Sequence, residues 1–459
     1  MKGTPMPEDI AGLGQALRSG ALTAQDLLHR YLERIERRDG SLNSFVAIDY
    51  AGAERAARES DERLAHGKAR SLLDGIPLSI KDNLFMKGVP ATWGSRALKD
   101  FVPQHDELPV ARLRQAGAVL LGKTNVPELT LEGYTANDLF GVTRNPVDTR
   151  LTPGGSSGGA VAGVAAGLVP AAIGTDGGGS IRRPACHTGL VGWKPSTGRI
   201  ARADGFPAIL HDFEVIGTAT RTVDDAILLD GVLKGAHPAD RRSWFRQAPP
   251  RSMEKPRILY IPQFGESPVD PEISRAMDMF AERLARQGAD VELGKIPFNL
   301  DLANQIWCIV SRSGVAYLMR HYPDLAALGG ASVQAMAQDG RTISGADYTE
   351  ALEGIAALRA DMARLFTHYD LIVTPSAAAL PWRAEDAYPD LIDAKPAGPR
   401  DHAVFTGWVN IAGLPAISLP VATSRAGCPI GAQLVAGYAE DDILLTFSKQ
   451  QELHKTSFQ

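Results

Sequence analysis

"TPGGSSGGAVAGVAAGLVPAAIGTDGGGSIRRPA", residues 152–185, sets two serines among four glycines, follows them with a run of Ala, Val and Gly, and ends with a third serine behind three consecutive glycines. The run after the first loop has the composition of a buried helix, and "VPAAIG" has that of a buried strand. A strand that ends in "TDGGGS" exposes successive backbone amides with no side chain in the way. Such a nest suits a developing oxyanion. The stretch therefore reads as loop, helix, strand, loop, with hydroxyls in both loops, and predicts an α/β fold. Two familiar glycine loops do not fit. A phosphate cradle ends in G-K-[ST], and no lysine stands here. "GSSGG" matches the nucleophile elbow G-x-S-x-G with Ser157 at its centre, but "NPVDTRLTPG" ahead of it is polar and broken by prolines where a buried strand is required. A tight turn with capping serines is the plain alternative for the first loop taken alone.

A serine nucleophile needs a base within reach. The ten histidines fall into no triad-like or metal-ligating pattern, and His187, nearest in sequence, reads as an ordinary core or surface residue. A lysine kept neutral by burial is the other choice. Lys81 closes the short apolar strand of "GIPLSIKDN", residues 75–83, and is the candidate, with a solvated strand-end lysine as its alternative. The Ser-x-x-Lys at Ser252–Lys255 is hemmed by Pro249, Pro250 and Pro256 and cannot open the long helix that its chemistry needs.

Working outward, "PEDIAGLGQALRSG" and "TAQDLLHRYLERIERRDG" carry helical apolar stripes, with Thr23 at an N-cap position and Gly40 at a C′ position. Residues 1–68 are expected to form an N-terminal helical layer. "DELPVARLRQAGAVLLGKTN" predicts a helix, a turn at Gly117 and a strand at 118–122, and the alternation returns over 257–295. Residues 70–230 form the expected core carrying the site, 235–256 an exposed connection, and 257–459 a part that completes the sheet and pocket. The fold class is α/β: a large mixed sheet covered on both faces by helices.

The 459 residues suffice for a sizeable core, and a net charge of −5 disfavours a broad nucleic-acid or anionic-membrane surface. Three separated cysteines, Cys186, Cys308 and Cys428, argue against a disulfide framework or structural zinc. "GGAVAGVAAGLVPAAIG" is interrupted by Pro170 and short of a membrane span, and the first twenty residues contain no long apolar run. A cytoplasmic protein acting on small molecules is expected, with no nucleic-acid or membrane partner and no metal.

At these residues the chain resembles the amidase signature family, whose members include bacterial amidases, fatty acid amide hydrolase and the glutaminase component of the complex that makes Gln-tRNA and Asn-tRNA. "GIPLSIKDN", "GAVLLGKTNVPEL", "GVTRNP", the opening stretch and "GLVGWKPSTGR" occur in order over about 70–200. "DLIVTPSAA" and "NIAGLPAISLPVA…PIGAQLVA" extend the similarity towards the C-terminus. The resemblance implies one amidase domain over 1–459 and a Ser-Ser-Lys triad: Ser180 as nucleophile, Ser156 in a cis peptide as relay, Lys81 as base. It implies an oxyanion hole at Gly177, Gly178 and Gly179, supports at Ser157, Asp176 and Arg182, no cofactor, and a small amide substrate. Thr130, Leu131 and Tyr134 are expected near the substrate, with core packing as the alternative. Arg183 is expected to meet a substrate carboxylate or a structural ion pair. Gly177, where relatives often carry a larger residue, is expected to widen the site. A stand-alone hydrolase of a small, aryl or carboxylate-bearing amide, with a homodimer allowed, is the first expectation. A glutaminase component of a tRNA-dependent amidotransferase is the second, because the long C-terminal segment of such components is not evident in "YTEALEGIAALRADMARLFTHYDLIVTP".

Overall fold

Apolar strands alternating with amphipathic helices build one mixed sheet of 11 strands in the computed structural model, which describes residues 8–456. Met1–Pro7, the start of the N-terminal stretch read above, lies outside the described residues. In spatial order the strands are Phe45–Ile48, Val119–Thr124, Pro77–Lys81, Ala171–Asp176, Val215–Thr220, Val191–Lys194, Ala416–Thr423, Pro429–Val435, Leu371–Pro375, Arg257–Tyr260 and Asp290–Leu293. Pro77–Lys81 runs parallel to both of its neighbours, Val119–Thr124 and Ala171–Asp176, while Val215–Thr220 turns antiparallel. The carboxyl ends of adjacent parallel strands are where open α/β sheets build their sites, because loops leave there and helices begin. Lys81 and Asp176 are the last residues of two such strands.

The expected helical layer is interrupted. Phe45–Ile48 pairs with Val119–Thr124 as the edge of the sheet, so the first part of the chain supplies a strand as well as helices. Thr23 caps Ala24–Arg38 through the Asp26 amide, 3.0 Å away. Gly40 occupies its C′ position, but the chain tightens there into a 3₁₀ turn, Asp39–Ser41, and the left-handed residue falls later, at Asn43. The helix and strand read in the opening stretch are Gly158–Ala165 and Ala171–Asp176, both fully buried save one helical residue. Two apolar clusters hold the sheet, one under the N-terminal helices and one around Trp193 and the C-terminal helices. Among the described residues no helix is long and apolar enough to cross a membrane.

Candidate active site

Strand Pro77–Lys81 carries Lys81 into the interior, where its side chain is wholly buried. Its Nζ lies 2.9 Å from Ser156 Oγ, 2.9 Å from Thr175 Oγ1 and 3.1 Å from the Thr175 carbonyl. Oxygen acceptors are present, but no carboxylate is bonded to the amine. Burial therefore dominates its acidity and pulls its pKa from 10.5 to about 7, against the opposing pull of Glu214 and Asp176 and alongside the push of Arg202. A lysine in this state is half neutral near physiological pH.

Ser156 follows a cis Gly155–Ser156 peptide bond and stands at the entry to Gly158–Ala165. Gly155 is needed there by proximity: a Cβ on it would sit 2.3 Å from the Tyr134 carbonyl oxygen. Ser157 ties the two glycine loops together. Its amide donates to the Ser180 carbonyl at 3.1 Å and its hydroxyl to the Thr175 carbonyl at 3.2 Å. The structure thus joins Lys81 directly to Ser156 and brings the Ser180 loop beside them through Ser157.

The turn that carries Ser180 is organised by Asp176. Its carboxylate accepts from the amides of Gly179 (2.7 Å), Ile181 (3.1 Å) and Arg182 (3.3 Å) and from the Arg182 guanidinium at 2.8 and 3.0 Å. Burial alone would raise the Asp176 pKa, but Arg182, Lys194 and Asn410 outweigh it and hold the carboxyl well below its usual range. Two expectations are altered by this arrangement. The Gly179 amide is already bonded to Asp176, which leaves the Gly177, Gly178 and Ser180 amides as candidate oxyanion donors. A side chain at Gly177 would meet Leu210 Cδ1 at 2.5 Å, so Leu210 fills the space that the glycine was expected to open.

Beside Ser180 lies a cavity of about 190 Å³, whose wall includes Thr130, Leu131, Gly177, Gly178 and Arg183. Thr130 also accepts from Trp93 Nε1 at 3.2 Å. Tyr134 is not on this wall; its backbone packs against Gly155 instead. Arg183 is nearly buried and, contrary to the structural ion-pair expectation, its partners are neutral oxygens: the Gly178 carbonyl, Thr406 Oγ1 at 2.9 Å and the Gly155 carbonyl at 3.4 Å. Arg182 takes the nearby carboxylate. His187 is a core residue whose Nε2 meets the Ala379 carbonyl at 3.2 Å, and burial lowers its pKa to about 4.

Sequence reasoning missed Thr175 and the distant wall formed by Trp307, Cys308, Arg400 and His402. Thr175 stands inside the quoted motif and could have been found as the residue before Asp176. The others carry no local signature. A larger cavity, about 480 Å³, lies between 248–256 and the C-terminal helix, with Pro250, Met253 and Phe447 on its wall; neither Lys81 nor a serine of the two glycine loops lines it. Among the described residues no cluster of three or more His, Cys, Asp or Glu is placed to hold a metal ion.

A buried lysine, a hydroxyl on it and a serine at a glycine turn are the parts of an acyl-transfer site, and the Amidase family profile matches residues 26–445. The chain belongs to the amidase signature family. As an amidase it is a hydrolase of amide C–N bonds. The Glutamyl-tRNA(Gln) amidotransferase A chain of Synechococcus sp. (strain CC9605) is 35% identical, the match covering 96% of this chain and 95% of that one. A bacterial aryl acylamidase of the same family superposes with a TM-score of 0.88 at 27% identity, over 96% of this chain and 95% of that one. The Glutamyl-tRNA(Gln) amidotransferase A chain of Thermotoga maritima superposes at 0.75 and 27% identity, over 92% and 90%. These coverages overturn one expectation: no long C-terminal segment separates the matched amidotransferase chain of Synechococcus from this amidase.

Proposed function

We propose that the chain hydrolyses a small, carboxylate-bearing primary amide through an acyl-Ser180 intermediate, with glutamine as the favoured member of that class. The observation that carries the chemistry is the buried Lys81 Nζ, 2.9 Å from Ser156 Oγ and without a carboxylate bonded to it. In the proposed cycle neutral Lys81 takes a proton from Ser156 Oγ as Ser156 takes one from Ser180 Oγ. Ser180 attacks the amide carbon, and the amides of Gly177, Gly178 and Ser180 receive the oxyanion. The proton returns along the same path to the nitrogen, ammonia leaves, and water attacks the ester by the same route to release the acid and free Ser180. Asp176 and Arg182 hold the turn, Ser157 links the loops, and Thr130 and Leu131 wall the substrate. No step calls for a cofactor.

Glutamine is favoured because the relatives at 33–35% identity include the Glutamyl-tRNA(Gln) amidotransferase A chains of several bacteria, so ammonia release to a partner within a cytoplasmic complex is the leading reading. The nearly buried cationic wall at Arg183 supports an anionic group on the substrate. An independent amidase for neutral or aryl amides, with homodimerisation allowed, is the second reading. It is favoured by the closer superposition on an aryl acylamidase than on the amidotransferase chain of Thermotoga maritima. Within either reading the chain is one amidase domain over 1–459, with 70–230 carrying the triad, 235–256 an exposed connection and 257–459 completing the pocket. Ammonia release from glutamine and succinamate and aniline release from an acetanilide, measured on wild type and Ser180→Ala, decide the matter. Loss of all turnover in Ser180→Ala with an unchanged circular-dichroism spectrum is expected. Turnover surviving in that variant overturns the acyl-Ser180 mechanism, and a preference for acetanilide over both acids reverses the order of the two readings.

A further inference from the structure

Arg400 stands on the turn between the strand Lys395–Pro396 and the 3₁₀ turn Asp401–Ala403, outside every motif read above and far in sequence from the serine loops. The turn is pinned at both ends: the Gly398 amide donates to Asp401 Oδ2 at 2.7 Å, and the Arg400 carbonyl accepts the Ala403 amide at 2.8 Å. From there the guanidinium lies over the Trp307 ring, 3.9 Å from its centroid. Trp307 in turn donates from Nε1 to the Gly177 carbonyl at 3.4 Å, so the stacked pair leans on the turn that bears Ser180.

Both Arg400 and Arg183 face the cavity at Ser180, and both keep a buried Nε without a partner. Among the described residues neither guanidinium has an ion-pair partner, and two such cations on one small cavity suit a shared anionic acceptor. The acids on the same wall do not supply it. Glu214 is taken by Arg202, and Glu132 accepts the Ser332 hydroxyl at 2.6 Å, acting on Arg400 only at longer range. Arg312, the third arginine on the wall, is occupied by Asp339 at 3.5 Å.

We propose that Arg400, held over the Trp307 ring, is a specificity-determining residue that binds the carboxylate of the substrate opposite the scissile amide, as the second arm of a clamp whose first arm is Arg183. A guanidinium held over a ring by this contact keeps its N–H fork for a planar carboxylate. The inference rests on the carboxylate-bearing substrate class proposed above.

The test compares succinamate with butanamide, amides of equal length that differ in whether the far end is charged, as the ratio of their kcat/KM values. Wild type is expected to prefer succinamate. Arg400→Gln is expected to cut that ratio about tenfold to hundredfold, the range for losing a charge-assisted hydrogen bond. Arg400→Lys is expected to restore it only in part, because an ammonium lacks the fork. If wild type shows no preference, the carboxylate reading itself falls. If wild type prefers succinamate and Arg400→Gln keeps the full preference, only the role of Arg400 falls and Arg183 is left as the single arm. Should Arg400→Gln not fold, competitive inhibition by succinate is compared between wild type and Arg400→Lys: several-fold weaker inhibition in the variant supports the clamp, and equal inhibition overturns it.

Discussion

If Lys81 is the base, the pH profile of kcat/KM on an amide that does not itself ionise must follow the neutral fraction of one buried amine. Burial sets its pKa at about 7 rather than 10.5. The rate should reach a plateau above pH 8, fall to half near pH 7, to about one-tenth at pH 6 and to about one-hundredth at pH 5. An ordinary lysine would instead give a rate still climbing tenfold per unit at pH 9. Glu214→Gln supplies the direction of a second shift. The Glu214 carboxylate favours the charged amine, so its removal should carry the acid limb to lower pH whatever it does to the plateau. Stability reports the same proton from the other side. The unfolded chain protonates this lysine near 10.5 and the folded chain only near 7, so between those values the unfolded state binds the extra proton and wild-type stability rises with pH. Lys81→Met abolishes that rise. It should gain on wild type most below pH 7, by as much as about 5 kcal/mol before its lost hydrogen bonds are subtracted. Urea titrations at pH 6 and pH 9 measure it. A rate profile flat down to pH 5, or an inflection above pH 9, refutes the neutral-lysine reasoning.

Three further outcomes follow from contacts around the loops. Thr175→Val removes an acceptor shared by Lys81 and Asn83, at 2.9 and 3.0 Å; kcat should drop roughly tenfold and stability by about 1–3 kcal/mol, and an unchanged kcat would show that Thr175 does not position the amine. Arg182→Met leaves the Asp176 carboxylate buried without its ion-pair partner and should cost roughly 3–5 kcal/mol in urea unfolding; a loss below about 1 kcal/mol would contradict its role as the anchor of the turn. Gly155→Ala forces a methyl to within 2.3 Å of the Tyr134 carbonyl, so a loss of about 1–3 kcal/mol together with lower activity is expected, and wild-type melting would show that the two loops can part freely.

What could be read in the sequence was what lies close along the chain or obeys a short period. Residues 152–185 contain the serine loop, the helix, the strand and the second glycine turn in one run, and the contact of Ser157 with Ser180 closes them on each other. Lys81 was reachable as the close of a short apolar strand, with a solvated strand end as its alternative, and the structure makes it wholly buried. Tyr134, three residues beyond Leu131, shows the limit of the same logic. The chain bends there through left-handed backbone at Leu129 and Thr130, which no periodicity announces, and Tyr134 meets Gly155 with its backbone rather than the cavity. The far wall was hidden for a stronger reason. Trp307 comes from a long helix and Arg400 from an irregular turn, and only the closing of the sheet through Ala416–Thr423 and Pro429–Val435 brings the second half of the chain over the Ser180 turn. Thr406 and Asn410 make the same crossing, bonding the Gly178 carbonyl and Asp176 from more than 220 residues away. The two serines thus come from one local motif and Lys81 from a separate strand, whereas the residues proposed to choose the substrate are assembled by topology. A substitution at position 400 would change the wall without touching the Lys81–Ser156 contact, so the fold leaves room for one set of polar groups behind different substrate walls.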